Sequence, residues 1–313
     1  MDKKNMARRW FMRGCRYDRL ESNLDQAIDA YKMSIKYDDK FTDAYVNLGF
    51  AYVAKVNCGK AVKYFQKAVE LEPNNPEVFN NLGYVYEKMR RFGEAKRTYE
   101  QALGLNPRNV ETMLNIAKVL EREGNYHGAV EQYKKAISQD PDNVSPRFCL
   151  AVLYDQHDMF EEALEEYKHI LKKDPDHLKA LLNMGNLCIQ LGEYEKAVKS
   201  LKRVIELDSD NAETWHRLGT AYQRLENYPE AVATFKRSIS LNPFQEETHM
   251  NLAEIQYFQY RSKSNGVKRE EITQRLRFIL SINPQNNKGQ KLLKELIEEN
   301  KIENNGPHNN GSH

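Results

Sequence analysis

Four glutamates crowd one stretch of the chain, Glu161, Glu162, Glu165 and Glu166, and closely spaced carboxylates are the raw material of general acid–base catalysis. Lys168, Lys172 and Lys173 follow at helical spacing, which is the pattern of a charge-paired face turned to water, and that is the reading adopted. The four cysteines, Cys15, Cys58, Cys149 and Cys188, stand far apart with no CxxC pair, so neither a disulfide framework nor a zinc site is expected. His127, His157, His169 and His177 fall at turns and helix ends, and no HExxH spacing occurs. There is no GxxxxGKS/T, GxGxxG or nucleophile elbow, and the "CGKA" at Cys58 lacks the upstream glycine of a phosphate loop. No cofactor, no metal and no catalysis are therefore expected. Two regular series remain. Asn47, Asn81, Asn115, Asn183 and Asn251 recur at multiples of thirty-four residues, and an amide carrying both a donor and an acceptor can meet a peptide unit twice. Arg9, Arg13, Arg16 and Arg19 are spaced four, three and three apart, so they share one side of a helix.

The elements that must position these residues repeat as well. The stretch "DAYVNLGFAYVAKVNCGKAVKYFQKAVELEPNN", from Asp43 to Asn75, returns in altered form every thirty-four residues. Its markers are Ala61, Ala95, Ala129, Ala163, Ala197 and Ala231, followed twelve residues later by Pro73, Pro107, Pro141, Pro175 and Pro243 after five of them. In "YVNLGFAY", "FNNLGYVY" and "MLNIAKVL" large residues fall three and four apart, which makes one apolar stripe along a first helix. "AVKYFQKAV", "AKRTYEQAL" and "AVEQYKKAI" do the same for a second helix, with the alanine at a close crossing. Asn75 before Pro76 reads as an N-cap with proline at the first helical position. The period with its large residue, "LG" or "IA", aromatic, alanine, second aromatic and proline resembles the tetratricopeptide repeat, a helix–turn–helix unit. That resemblance implies an all-α fold, a right-handed superhelical solenoid of about eight helix–turn–helix repeats with a C-terminal capping helix.

The repeats are expected at about 8–41, 42–75, 76–109, 110–143, 144–177, 178–211, 212–245 and 246–286, with residues 1–7 a charged lead-in. The first is degenerate: Phe11, Ala27 and Tyr31 keep their places, while Gly14 and Cys15 stand for "LG" and Asp39 for the proline. In the last, Ile272, Leu276 and Pro284 come seven residues late, which points to an insertion at "RSKSNGV", Arg261 to Val267, as a loop or a lengthening of both helices. Residues 287–300 form the expected cap helix, with Leu292, Leu293, Leu296 and Ile297 on one face, and 301–313 a polar, disordered tail.

Composition agrees with one long array. Hydrophobic residues at 40% and charged residues at 29% suit a solenoid with much exposed surface. Lys and Arg number 47 against 45 Asp and Glu, so no global pull toward nucleic acid exists. No apolar run reaches membrane-spanning length and no signal-like core follows "MDKKNMARRW", so a cytoplasmic protein is expected.

What the resemblance implies about function is binding. In this family first helices line a concave groove, and places two, five, six, nine, twelve and thirteen of each repeat point into it. Place six holds the asparagine series, interrupted by Cys149 and Arg217, with Arg13 in the first repeat. In relatives that hold extended peptides such asparagines bond the ligand backbone; the alternative is that they bond a neighbouring helix. Around them the expected groove residues are Phe50 and Tyr84, the N-terminal Arg9, Arg13, Arg16 and Arg19, and Arg217 and Arg224 further on. Val46, Phe50 and Val53 form an apolar patch in the groove or a seat for the first helix. The carboxylate clamp of chaperone-binding relatives is not matched, because Phe148, Val152 and Glu213 occupy three of its places. The reading is a non-catalytic scaffold or adaptor binding a protein or peptide, with an acidic segment for the arginines; the alternative for the arginines is simple solubility of an exposed end. A second function class is a regulatory or targeting subunit whose transferase or phosphatase partner lies on another chain. Neither nucleic acid nor membrane insertion is expected, and oligomeric state is left open. Ala129→Leu is expected to overpack its crossing and cost about 1–3 kcal/mol, with Glu162→Leu costing far less; equal losses in denaturant melts would show that the alanine series does not mark packing.

Overall fold

The computed structural model describes residues 2–19, 23–263 and 266–304. Eight first helices, α1 (Lys3–Asp18), α3 (Thr42–Ala54), α5 (Pro76–Lys88), α7 (Val110–Arg122), α9 (Val144–Gln156), α11 (Leu178–Gln190), α13 (Ala212–Arg224) and α15 (Glu246–Arg261), alternate with eight second helices. These are α2 (Leu24–Tyr37), α4 (Cys58–Leu71), α6 (Phe92–Leu105), α8 (Tyr126–Gln139), α10 (Phe160–Lys173), α12 (Tyr194–Leu207), α14 (Tyr228–Leu241) and α16 (Arg269–Ile282), and α17 (Asn287–Asn304) follows. The described residues are thus an all-helical run of helix–turn–helix repeats, and no strand occurs among them.

Local chemistry sets the boundaries. Asn75 accepts the Glu77 amide at 3.0 Å with Pro76 at the first helical position, and Asn109, Asn125 and Asn211 cap α7, α8 and α13 in the same way. From α3 to α13 the first helices end in one motif. A residue with φ between 57° and 76° follows the last turn, at Val56, Arg90, Gly124, Asp158, Gly192 and Glu226. The next amide then reaches back six residues in hydrogen-bonded count, as Arg91 N–H does to the Tyr86 carbonyl at 2.9 Å.

Packing inside a repeat turns on one close contact. The fully buried rings of Phe65, Tyr99 and Phe235 lie on Gly49, Gly83 and Gly219 of the preceding helix. A Cβ added at Gly83 would sit 2.6 Å from the Tyr99 ring, inside van der Waals contact. Ala61, Ala95, Ala129, Ala163, Ala197 and Ala231 are all fully buried, which lets the two helices of a repeat meet at short range.

The chain separates into two compact units, Met1–Leu153 and Tyr154–His313, with the boundary inside α9. In the first unit α3 touches α5 and α5 touches α7; in the second α11 touches α13 and α13 touches α15. First helices of successive repeats lie closer together than second helices do among the described residues, so within each unit they line the inner side.

Three details depart from the thirty-four-residue register. Helix α1 begins at Lys3, inside the stretch read as a lead-in, and is displaced by one residue. Gly14, not Cys15, lies under the Tyr31 ring, as Gly83 lies under Tyr99. Tyr31 donates to Asp18 as Tyr99 does to Glu87, and Ser34 Oγ donates to the Ala7 carbonyl as Ser238 Oγ does to that of Ala212. Helix α1 ends at Asp18 and α2 begins at Leu24, a wider spacing than that from Ala54 of α3 to Cys58 of α4. The late insertion lengthens α15 to 16 residues and widens the following connection, while α16 keeps the usual 14, so only one helix is extended. Helix α17 runs four residues past 300, into the stretch read as a tail; residues 305–313 lie outside the described residues.

Two glycine positions give opposite expectations. Gly83→Ala must push the Tyr99 ring and is expected to cost about 1–3 kcal/mol. Val56→Gly removes a β-branched side chain from a left-handed backbone at an 87%-exposed site and is expected to gain about 0.5–1 kcal/mol. Urea unfolding of both variants checks the pair, and a neutral Gly83→Ala would overturn the ring-on-glycine account.

Candidate functional site

The inner side of each unit is where the asparagine series lies, and its five members do not share one environment. Asn47 donates through Nδ2 to the Tyr31 hydroxyl at 3.5 Å and to Cys15 Sγ at 3.6 Å. Asn183 donates to the Tyr167 hydroxyl at 3.1 Å. Both amides are therefore used inside the protein, between the second helix of one repeat and the first helix of the next. Asn81 and Asn251 stand opposite Phe65 and Phe235, which have no hydroxyl, and Asn115 stands opposite Tyr99, whose hydroxyl is donated to Glu87 at 3.2 Å. Asn81, Asn115 and Asn251 are half-buried and form no side-chain hydrogen bond among the described residues.

A tyrosine hydroxyl sixteen residues upstream is what Asn47 and Asn183 bond, a signal that reading the asparagines alone misses, although Tyr99 stands sixteen residues before Asn115 without bonding it. Tyr31, Tyr99, Tyr133 and Tyr167 are fully buried, and burial pushes each hydroxyl above its ordinary pKa, that of Tyr167 to about 12. They stay protonated and act as donors to inner-side carboxylates: Tyr31 to Asp18, Tyr99 to Glu87 and Tyr133 to Glu121. Cys149 replaces the asparagine opposite Tyr133, and burial pushes its thiol up as well.

Beside Asn81 and Asn115 the first unit presents Phe50 and Tyr84, each 37% exposed. Phe50 meets Phe65 edge-on at 5.1 Å, and Lys88 Nζ lies 5.2 Å over the Tyr84 ring. In the second unit Asn251 and Arg224 come together in a cleft of about 570 Å³ with Glu247, Phe258 and Lys288. Arg217 is not available in the same way, because its Nε donates to Glu213 on its own helix at 2.7 Å.

The N-terminal arginines fall differently from the sequence register. With α1 displaced by one residue, Arg9, Arg13 and Arg16 occupy places three, seven and ten, and Arg19 place thirteen. In the next three repeats the first three of those places are Ala44, Leu48 and Ala51; Val78, Leu82 and Val85; and Thr112, Ile116 and Val119, all buried against the preceding repeat. Arg9, Arg13 and Arg16 are exposed on the stacking side of α1, not on the inner side, and Arg8 and Met12, at places two and six, adjoin them at its edge. Phe11 faces the other way, packing on Tyr31 and Phe41 at 5.9 and 5.0 Å.

The carboxylates and the buried thiol noted in the sequence take ordinary helical positions. Glu161 and Glu162 lie in the first turn of α10, where carboxylates favour the helix N-terminus, and Glu165 pairs with Lys168 at 2.6 Å. Cys188 is 1% exposed and burial raises its thiol to about 11. No group of three or more His, Cys, Asp or Glu placed to hold a metal occurs among the described residues.

Repeat eight holds a polar cluster that no sequence signal marked. His249 donates from Nε2 to the Pro243 carbonyl at 2.9 Å, so Nδ1 accepts from Arg275 Nη1 at 3.2 Å, and Arg275 Nε donates to Gln256 at 2.9 Å. Nearby His216 Nδ1 lies 2.8 Å from Thr248 Oγ1 and Nε2 lies 3.6 Å from Glu247. Burial lowers both imidazole pKa values; Arg275 lowers His249 further, while Glu247 and Glu213 oppose the shift at His216.

Family models described as tetratricopeptide repeat match residues 80–144, 120–181, 166–199 and 212–245, and one described as TPR repeat matches 58–89 and 185–226, which covers 58–245 without a gap. Comparison with curated proteins gives no match. Among solved structures, the C-terminal part of a TPR repeat-containing protein from Cytophaga hutchinsonii is similar over 79% of this chain and 99% of its own, at 16% identity and TM-score 0.68. A tetratricopeptide repeat protein from Parabacteroides merdae is similar over 82% and 98%, at 18% identity and TM-score 0.53. Pseudomonas aeruginosa pilF is similar over 72% and 99%, at 17% identity and TM-score 0.54.

Neutral His216 and His249 are favoured in the folded chain, so their contribution is fully present above the unfolded pKa of about 6.5 and is lost as pH falls through it toward the lowered folded values. Urea unfolding at successive pH values below neutrality is expected to show a falling stability that the double variant His216→Gln, His249→Gln flattens. An unchanged pH dependence in that variant would place the titrating groups elsewhere.

Proposed function

Because this chain belongs to the tetratricopeptide repeat family, we propose that it is a non-catalytic protein-interaction scaffold that holds an extended peptide along the inner side of its first unit. The observation that carries this reading is the pair Asn81 and Asn115. Their amides keep donor and acceptor uncommitted one repeat apart, whereas Asn47 and Asn183 are spent on tyrosine hydroxyls. Each free amide can receive a backbone N–H and give an N–H to a backbone carbonyl, a pairing indifferent to the ligand's side chains. Selectivity falls to Tyr84 and Phe50, which offer exposed aromatic surface beside the amides, and to the exposed Lys88 and Lys118. With Glu77, Glu87, Glu111 and Glu121 set against Lys88, Lys118 and Arg122, these places carry both signs, and the two lysines are the contacts open to an acidic side chain of the ligand. In the second unit Asn251 and Arg224 offer a smaller version of the same chemistry, partly closed by the Lys288–Glu254 pair.

The amide arrangement is set by buried contacts, so removing an amide should not unfold the chain. Selecting linear peptides from a displayed library with the full chain, then measuring them by calorimetry, tests the proposal. Asn81→Ala and Asn115→Ala are each expected to weaken the selected peptides about tenfold, the equivalent of about 1.4 kcal/mol for a lost hydrogen-bonding pair, with melting temperature unchanged. Asn183→Ala is expected to leave affinity alone and to lower stability instead. Selected peptides that bind both asparagine variants as tightly as the parent would remove the inner-side assignment.

A further inference from the structure

The stacking side of α1 is the one place where the repeat's packing surface has been rebuilt in charge. Places three, seven and ten of the next three repeats are small or apolar and buried, and here they are Arg9, Arg13 and Arg16. Three guanidinium groups cannot be buried against another apolar repeat without a large desolvation cost, so this side is not made to receive one. Neither is it merely an irregular solvated surface. Arg13 is fixed: its Nε and Nη2 donate to the Tyr17 hydroxyl at 2.9 and 2.8 Å, and its guanidinium lies 5.1 Å from the Trp10 ring centroid. Arg8 and Arg16 form no ion pair among the described residues. Between them Met12 is 65% exposed, an apolar centre in a basic rim.

We propose that this side of α1 is a docking surface for an acidic helix of a partner protein, stacked where a preceding repeat would lie. The argument is charge complementarity together with shape. Arg9, Arg13 and Arg16 form a single stripe with steps of about 6 and 4.5 Å along the axis, at 1.5 Å per residue. Carboxylates on a second helix at i, i+4 and i+7 repeat those steps, and a guanidinium fork such as that of Arg16 can take a carboxylate through two hydrogen bonds. An apolar residue between the carboxylates meets Met12. An anionic membrane is the poorer match, since Met12 is the single large apolar side chain strongly exposed on α1 and Trp10 is half-buried beneath Arg13. A nucleic acid is poorer as well, because the stripe is short and the chain as a whole carries a formal charge of only +2. A second copy docking through α17 offers Glu295 and Glu298 interspersed with Lys291 and Lys294, and no three carboxylates there fall at i, i+4 and i+7.

The stripe belongs to the first repeat and Asn81 and Asn115 to the third and fourth, so its test is independent of the groove reading. The probe is a synthetic helix of about twenty residues with glutamates at i, i+4 and i+7 and a leucine between them, and binding to the full chain is read by fluorescence anisotropy. The probe is expected to bind and its sequence-scrambled isomer to bind at least tenfold more weakly. The charge reversal Arg9→Glu, Arg16→Glu, which leaves the Arg13 brace in place, is expected to lower affinity at least tenfold. A probe carrying lysines for glutamates is expected to bind the reversed chain at least tenfold better than the parent. Asn81→Ala with Asn115→Ala is expected to change none of this. Equal binding of probe and isomer would overturn the proposal, as would loss of probe binding in the asparagine variant. So would tighter, arginine-dependent binding of a single-stranded RNA or of vesicles with about a third phosphatidylserine.

Discussion

A ring or branched side chain seated on a glycine of the preceding helix is the contact on which the rest of the structure depends. Phe65 on Gly49, Tyr99 on Gly83, Leu201 on Gly185 and Phe235 on Gly219 hold the two helices of those repeats close, and Ala117 and Ala151 take the glycine's place before Tyr133 and Tyr167. The buried alanines of the second helix serve the same approach. Once that distance is set, the para position of each ring reaches the inner side. A hydrogen there leaves the neighbouring asparagine uncommitted, whereas a hydroxyl bonds it at Tyr31 and Tyr167 but not at Tyr99, opposite Asn115. Tyr31 and Tyr167 each accept a hydrogen bond from the next repeat's asparagine, and Phe65 and Phe235 leave theirs uncommitted.

Much of this was legible in the residues. The thirty-four-residue period, the helix pairs and the Asn75–Pro76 cap follow from patterns that report local backbone and packing needs, and these are repeated often enough to average out exceptions. The first repeat was misregistered for a physical reason. Tetratricopeptide repeats share a fixed spacing only while the turn between helices keeps its length, and residues 19–23 are a longer connection than residues 55–57. Gly14 lies thirty-five residues before Gly49, and that pairing held the correct register. The cluster of His249, Arg275 and Gln256 left no trace because it is built from side chains far apart in sequence, without a recurring spacing.

The two surfaces of the first unit follow from different halves of the same helix geometry. Places that face inward carry amides, aromatic edges and a few lysines, suited to an extended chain whose backbone is satisfied residue by residue. Places that face the preceding layer carry arginines on α1 alone, suited to a rigid charged stripe. An adaptor with both could hold a flexible segment and a folded partner at once, and the two contacts would respond differently to salt, since amide bonding is short-ranged and arginine attraction extends over the screening length.

The most direct measurement is the side-chain amide region of a nitrogen-15 spectrum of the full chain, recorded with and without a peptide selected for binding. The account predicts that the resonances of Asn81 and Asn115 move on saturation, while those of Asn47 and Asn183, already bonded to tyrosine hydroxyls, stay in place. Movement of all four alike, or of none while the peptide is demonstrably bound, would contradict it.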